Sequence, residues 1–380
     1  MSTDHAAIRI LDASLNRASE GLRVVEDYVR FVLDDAHLTE QFKLLRHELA
    51  AAGAALPSPE RHAARDTEQD VGTTIKTASE TRRADAWDVC VASFERVKQS
   101  LRSLEEFGKV AKPQAADVFE SLRYRLYTLE AAVGRTVDAV ERLAGVQLYV
   151  LIDGCETEDE FAALVEQLVT AGVDAIQLRD KRLDDRELMT RARLLRTIFQ
   201  PRALPGGSSA NDMAPLKYPR AEPGAEVGQR LVIINDRPDI AAIVDADGVH
   251  LGHDDMSVKD ARAVVGPRKL IGVSSHSIEQ ARAAVLAGAN YIGVGPTFPS
   301  TTKNFDTFRG VELLRQVAEE IRLPAFAIGG VTADNVKEVL AAGFTRIAVG
   351  AAVTHAANPG AAAAKLRAAL KVASSTASRI

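Results

Sequence analysis

The chain has 380 residues, too many for one small domain, and its 46% hydrophobic and 26% charged content is that of a globular protein with a core. A formal net charge of -5 argues against nucleic acid as the main partner. No apolar run reaches membrane-spanning length, the N-terminus lacks a signal-peptide pattern, and the two cysteines, Cys90 and Cys155, have no metal-type spacing. Together these predict a protein of the reducing cytosol with neither a membrane nor a nucleic acid as partner.

Residues 6 to about 143 read as helical throughout. Leu11, Leu15, Ala18, Leu22, Val25, Val29 and Val32 recur at three and four residues and predict one apolar stripe. The segment "DASLNRASEGLRVVEDYVR" (12–30) aligns without gaps to "VASFERVKQSLRSLEEFGK" (91–109), with six of nineteen positions identical. Two similar helices pairing in a bundle would produce this repeat. Arg23 with Glu26, and Arg102 with Glu105, are spaced as i, i+3 ion pairs. Between the repeats, "RDTEQDVGTTIKTASETRR" is polar and predicts a loop running into a short helix.

From Val146 the rhythm changes. Short runs rich in Val and Ile lie at 146–152, 173–178, 231–235, 248–251, 269–274, 290–295, 324–329 and 345–350, mostly followed by amphipathic segments of helical length. Eight such units predict a closed (β/α)8 barrel. Gly172, Gly288 and Gly343 each stand where a helix should end. The expected organisation is an all-helical domain over 1–143 and a barrel over 144–380. A Pro-, Gly- and Ala-rich segment, 201–230, interrupts the barrel and reads as a flexible surface insertion.

A barrel of this kind gathers its site at the C-terminal ends of its strands. Strand two ends in Gln177, Arg179 and Lys181; strand three in Asn235 and Asp236. Strand four runs into His253, Asp254 and Asp255, strand five into Ser274, Ser275 and His276, and strand six into Ser300, Thr301, Thr302 and Lys303. Strands seven and eight end in Gly329-Gly330 and Gly350-Ala351. Individually these have plainer readings: surface pairing for Arg179 and Lys181, helix capping for Asp236, the start of a turn for Asp255, packing for His250. Convergence on one rim favours chemistry. Asp236 and Asp255, with Asn235 adjacent, offer hard oxygen ligands for Mg²⁺. Arg179, Lys181 and Lys303 bring more positive charge than a monophosphate needs and suit a diphosphate. The glycines after strands seven and eight suit a second phosphate bound by exposed N–H groups. Displacement of pyrophosphate by a phosphate-tagged second substrate fits this set.

The successive motifs "IQLRDK", "INDRPDIA", "DGVHLGHDD", "IGVSSHS", "VGPTFPSTTK" and "AIGGV" resemble those of thiamine phosphate synthases over about 146–370. The resemblance implies a transferase of thiamine biosynthesis. It would join hydroxymethylpyrimidine diphosphate to hydroxyethylthiazole phosphate, carboxylated or not, releasing pyrophosphate. By motif position, Gln177, Arg179, Lys181, Asn235, Ser274 and Lys303 would hold the diphosphate, with Arg179, Lys181, Ser274 and Lys303 the catalytic set. Asp236 and Asp255 would bind Mg²⁺, and Ser300, Thr302 and Gly330 would meet the thiazole phosphate. Ala351 stands where a Ser is common, leaving main-chain N–H groups of Gly350 and Ala351 as donors there. His253 replaces a frequent Gln, and the first strand ends "LID" rather than threonine-aspartate. The helical half is similar to a domain fused ahead of some of these synthases and associated with hydroxymethylpyrimidine phosphate phosphorylation, yet it carries no Walker loop or kinase glycine motif. A thiazole tautomerase-like isomerase and a non-catalytic thiazole- or thiamine-phosphate-binding regulator are the competing readings. The oligomeric state is open, a homo-oligomer included.

Overall fold

The computed structural model describes residues 3–56, 61, 63, 83–200, 230–252, 254–299 and 310–377. The chain divides into two compact units, Met1–Val133 and Gly134–Ile380.

In the first unit the helices are α1 (Thr3–Tyr28), α2 (Ala36–Ala54), α3 (Ala86–Ala111) and the first part of α4 (Pro113–Arg142). Asp35 and Asp85 begin α2 and α3 by accepting the N–H of Leu38 and Asp88. The two sequence repeats lie on α1 and α3, which pack against each other. A Cβ added at Gly21 would come within 2.6 Å of Val97 Cγ2, so close approach of the two helices needs that glycine. The stripe from Leu11 to Val29 is buried as expected, but Val32 is 56% exposed. A π-helical turn over Val29–Leu33 fits an extra residue into the turn and carries Val32 out of phase with the stripe. Both expected ion pairs form: Arg23 to Glu26 at 3.7 Å and Arg102 to Glu105 at 2.7 Å. Each glutamate is buried and takes a second arginine from the following helix, Arg46 Nε at 2.7 Å and Arg123 Nε at 2.9 Å. The polar segment between the repeats lies, apart from Arg83, outside the described residues.

In the second unit eight parallel strands close in sequence order, β1 (Leu148–Ile152), β2 (Ala175–Leu178), β3 (Leu231–Asn235), β4 (Gly248–Leu251), β5 (Leu270–Ser275), β6 (Tyr291–Val294), β7 (Ala325–Ile328) and β8 (Ile347–Val349), and β8 pairs back onto β1. The expected (β/α)8 barrel is therefore the architecture. Its helices are α5 (Glu158–Thr170), α6 (Asp185–Phe199), α7 (Pro238–Ile243), α8 (Val258–Val265), α9 (Ile278–Ala287), α10 (Gly310–Glu320), α11 (Val336–Ala341), α12 (Ala351–Thr354) and α13 (Pro359–Ala377). Capping boxes, Thr157 with Glu160 and Asp184 with Glu187, set the starts of α5 and α6. Gly172, Gly288 and Gly343 have φ of 75°, 83° and 92° just past their helices.

Tyr149, Tyr291 and Phe326 fill the barrel interior, their rings edge-on at centroid separations of 5.3–6.0 Å. Leu143 and Val146 belong to the same buried cluster, so the chain entering β1 closes one end of the core. Strand starts are tied down by buried-side acceptors: Asp174 takes the N–H of Gln147 and Leu148 at 2.9 Å, and Asp247 that of Val232 at 2.7 Å. The proposed insertion 201–230 falls between α6 and β3, and all but Arg230 is outside the described residues.

Candidate active site

Gln177 is the inward residue at the end of β2. Only 2% exposed, it donates from Nε2 to Asn235 Oδ1 on β3 at 2.6 Å. Burying two amides is costly unless they satisfy each other, so this bond fixes both side chains before any ligand arrives.

Beyond Gln177 the chain alternates. Arg179 and Lys181 take one parity, Asp180 and Arg182 the other. The Asp180 side chain is 1% exposed and accepts from Gly154 N at 2.9 Å, from Arg182 N at 2.7 Å and from the Arg182 guanidinium at 2.9 Å. Burial would raise its carboxyl, but the hydrogen bonds from Arg182 and Gly154 outweigh that and bring it down to about 2. Arg191 of α6 donates to Gly154 O at 2.8 Å, so the Gly154 peptide is gripped on both sides. This joins the loops after β1 and β2 and anchors the segment carrying the two cations. Sequence reasoning missed Asp180; its place between Arg179 and Lys181 was the available signal.

Asp236 follows Asn235 with φ of 58°, a left-handed conformation aspartate tolerates better than most residues. Its N–H donates to His250 O at 2.8 Å. It does not cap the next helix: that position belongs to Arg237, and no side chain caps it. Burial raises the Asp236 carboxyl first, then a hydrogen bond with Asp255 and that residue's charge, while Lys181 and Asn235 pull the other way. The Asp236 carboxyl thus feels both the carboxyl of Asp255 and the charge of Lys181. Asp255 in turn accepts Gly252 N at 2.7 Å, closing the turn after β4. Two carboxylates sharing space invite a cation. Among the described residues no group of three or more His, Cys, Asp or Glu forms a metal cluster. Two carboxylates alone could hold only a hard ion that takes its remaining ligands from water or a substrate.

His250 is packed inside the barrel and joins the site through Ser274, whose Oγ lies 3.0 Å from its Nε2. Burial lowers the imidazole to about 4, with Asp255 acting upward and Arg179 downward. Those opposing charges bring Arg179 into the same neighbourhood. Gln177, Arg179, Lys181, Asn235, Asp236, Asp255 and Ser274 thus gather at the strand ends.

After β6 the chain is clamped to β7. Thr297 N and Oγ1 both donate to Ile328 O at 3.0 Å, and Phe298 N donates to Gly329 O at 2.9 Å. A Cβ at Gly329 would sit 2.8 Å from Pro296 Cα, and one at Gly330 would sit 2.6 Å from Phe298 O. The glycine pair is therefore demanded by the approach of this loop, in addition to any phosphate. His276 Nδ1 bonds Gly295 O, and Asn335 Nδ2 donates to Gly330 O at 2.8 Å. Gly330, Gly350 and Ala351 are half-buried at the ends of β7 and β8. Ser300, Thr302, Lys303 and His253 lie outside the described residues.

A family model described as "Thiamine monophosphate synthase" matches residues 220–353, and one described as "ThiD2 family" matches residues 9–132. A thiamine-phosphate synthase of Rhodopirellula baltica is 44% identical over 359 residues, covering 92% of this chain and 88% of that protein. One from Synechocystis is 37% identical, covering 95% of each chain. Among solved structures, a thiamine phosphate pyrophosphorylase from Pyrococcus furiosus is 31% identical with a TM-score of 0.48, covering 60% of this chain and 97% of its own. Similar over nearly its whole length to proteins of one kind, the chain belongs to the thiamine-phosphate synthase family.

Proposed function

We propose that the protein condenses hydroxymethylpyrimidine diphosphate with hydroxyethylthiazole phosphate to give thiamine phosphate and pyrophosphate. The reading is carried by the side chains that β2 to β5 bring to one rim: Gln177 bonded to Asn235, Asp236 tied by its N–H to His250 O, Asp255 closing the turn after β4 and Ser274 on His250, with Arg179 and Lys181 following β2. A rim built this way is organised for a strongly anionic ligand with a metal ion. Gln177, Asn235 and Ser274 supply the oriented hydrogen-bonding groups, and Lys303, by its place in the sequence after β6, would add a third cation. Ser300, Thr302, Gly330, Gly350 and Ala351 would receive the thiazole phosphate, the last three through main-chain groups.

Asp236 and Asp255 would hold Mg²⁺, which when bound supplies positive charge to the leaving pyrophosphate oxygens. The bond between the pyrimidine methylene carbon and the diphosphate oxygen breaks, and the thiazole nitrogen forms the new bond to that carbon with its own lone pair. No proton has to be removed from that nitrogen, so the residues need not include a general base. Arg179, Lys181 and Lys303 stabilise charge as it builds on the departing oxygen, the electrostatic contribution that commonly dominates such reactions. The Gln177–Asn235 bond and the Asp180 anchor reduce the reorganisation this requires.

Residues 1–143 and 144–380 are read as two domains, with 201–230 inserted into the second. The composition and the two cysteines, which lack metal-type spacing, support the cytosol as the protein's compartment. The test of the reaction is release of pyrophosphate together with thiamine phosphate. Release should require both substrates and Mg²⁺; turnover with the thiazole phosphate alone, or indifference to Mg²⁺, would refute it.

A further inference from the structure

A file of four polar side chains runs from the barrel interior to its rim. Tyr149 Oη of β1 lies 3.1 Å from Tyr291 Oη of β6. Tyr291 Oη lies 3.3 Å from His250 Nδ1 of β4, and His250 Nε2 lies 3.0 Å from Ser274 Oγ of β5. Tyr149, Tyr291 and His250 are all buried. Two glycines open the path. A Cβ at Gly272 would stand 2.0 Å from Tyr291 Cζ, and one at Gly293 would stand 3.3 Å from His250 Cε1. An aliphatic barrel core would need neither glycine.

The direction of the file follows from counting donors. A hydroxyl donates once, and buried hydroxyls find an acceptor. Among the described residues the one hydrogen-bond partner recorded for the Tyr149 hydroxyl is Tyr291 Oη, so Tyr149 donates to it. Tyr291 must then spend its own proton on His250 Nδ1. An accepting Nδ1 leaves the ring's single proton on Nε2, which donates to Ser274 Oγ. Ser274 is left with its hydroxyl proton free for the rim. Run in reverse, the file strands the Tyr149 proton in the core.

We propose that Tyr149, Tyr291 and His250 are positioning residues that fix the His250 tautomer and thereby hold Ser274 as a hydrogen-bond donor toward the ligand. Resting on the synthase reading, the consequence is that Ser274 donates to an acceptor atom of the pyrimidine diphosphate. A change in the file should then act on that substrate and on turnover, leaving the thiazole phosphate alone.

The experiment is ¹⁵N NMR of the histidine-labelled full chain without substrates, with the His250 signals identified by their loss in His250→Gln. The expected result is a protonated Nε2 and a bare Nδ1. A proton on Nδ1 would overturn the proposal whatever the reaction is, so the two readings fail separately. Tyr291→Phe should shift the His250 ¹⁵N signals and lower kcat/KM for the diphosphate roughly tenfold, the scale of one lost hydrogen bond. KM for the thiazole phosphate should stay unchanged. Tyr149→Phe, a change further from the rim, should move the same quantities in the same direction by less. Unaltered ¹⁵N signals and kinetics in both variants, or equal losses for both substrates, would mean that the file only fills the core.

Discussion

After burial, Asp255 raises the Asp236 carboxyl through a hydrogen bond and its charge, a pairing a bound cation would replace, so removing either should be felt mainly in catalysis. Asp255→Ala and Lys303→Ala should each lower kcat by about a hundredfold or more, the scale of removing a group that stabilises developing charge. The thermal midpoint should change little in either; Asp255 is exposed in the turn after β4. Loss of folding in place of turnover would reassign them as structural. Asp180 offers the opposite case. Its carboxyl falls from an ordinary 3.8 to about 2 because its partners favour the charged form. A depressed folded-state value means stability that is present above about pH 4 and lost as pH falls toward 2. Wild type should therefore exceed Asp180→Asn in stability at neutral pH, with the gap narrowing through that window; a constant gap would remove the ionic contribution. At this scale the strand-end placement of Arg179, Lys181, Asp236 and Asp255 could be read from type and spacing, whereas Asp180 between two of them drew no reading. Its 1% exposure arises from Gly154 and Arg182 folding over it, which no local pattern encodes.

Elements are held apart or together by small residues at crossing points. Gly272 on β5 faces the rigid Tyr291 ring, so Gly272→Ala should cost about 1–3 kcal/mol as an overpacked core does, read in denaturant melts. A neutral effect would show that the barrel can open around an extra methyl. In the helical unit, Glu105 is enclosed by Arg102, Lys109 and Arg123. Glu105→Ala leaves Arg123 buried, Tyr127 remaining as one of its partners, and should cost roughly 3 kcal/mol. Arg102→Ala, at the exposed end of the same cluster, should cost about 1 kcal/mol or less. Equal costs would contradict this ranking by burial. The i, i+3 spacing revealed the exposed half of each cluster, while Arg46 and Arg123 come from other helices and left no signature in the repeat.

Across the molecule, the division after Val133 falls inside the helix Pro113–Arg142, and the residues that follow it serve the barrel. Arg135 and Arg142 donate to the carbonyls of Pro267 and Arg268 at 2.8 Å, and Leu143 sits in the barrel's core cluster. A fragment of residues 134–380 should thus melt several degrees above one of residues 146–380, since burial of one leucine contributes about 1.5–3 kcal/mol. Identical midpoints would show these contacts to be dispensable. The amino-acid order alone determined the alternation of strands and helices and the closed barrel, because periodicity is a local property of the chain. Only the folded barrel decided that Asp236 and Asp255 share one space, that His250 reaches Ser274 through its ring, and that Tyr149 stands behind both. Those contacts join residues far apart in the chain, and they exist because closing eight strands into a ring brings distant inward positions to the same depth.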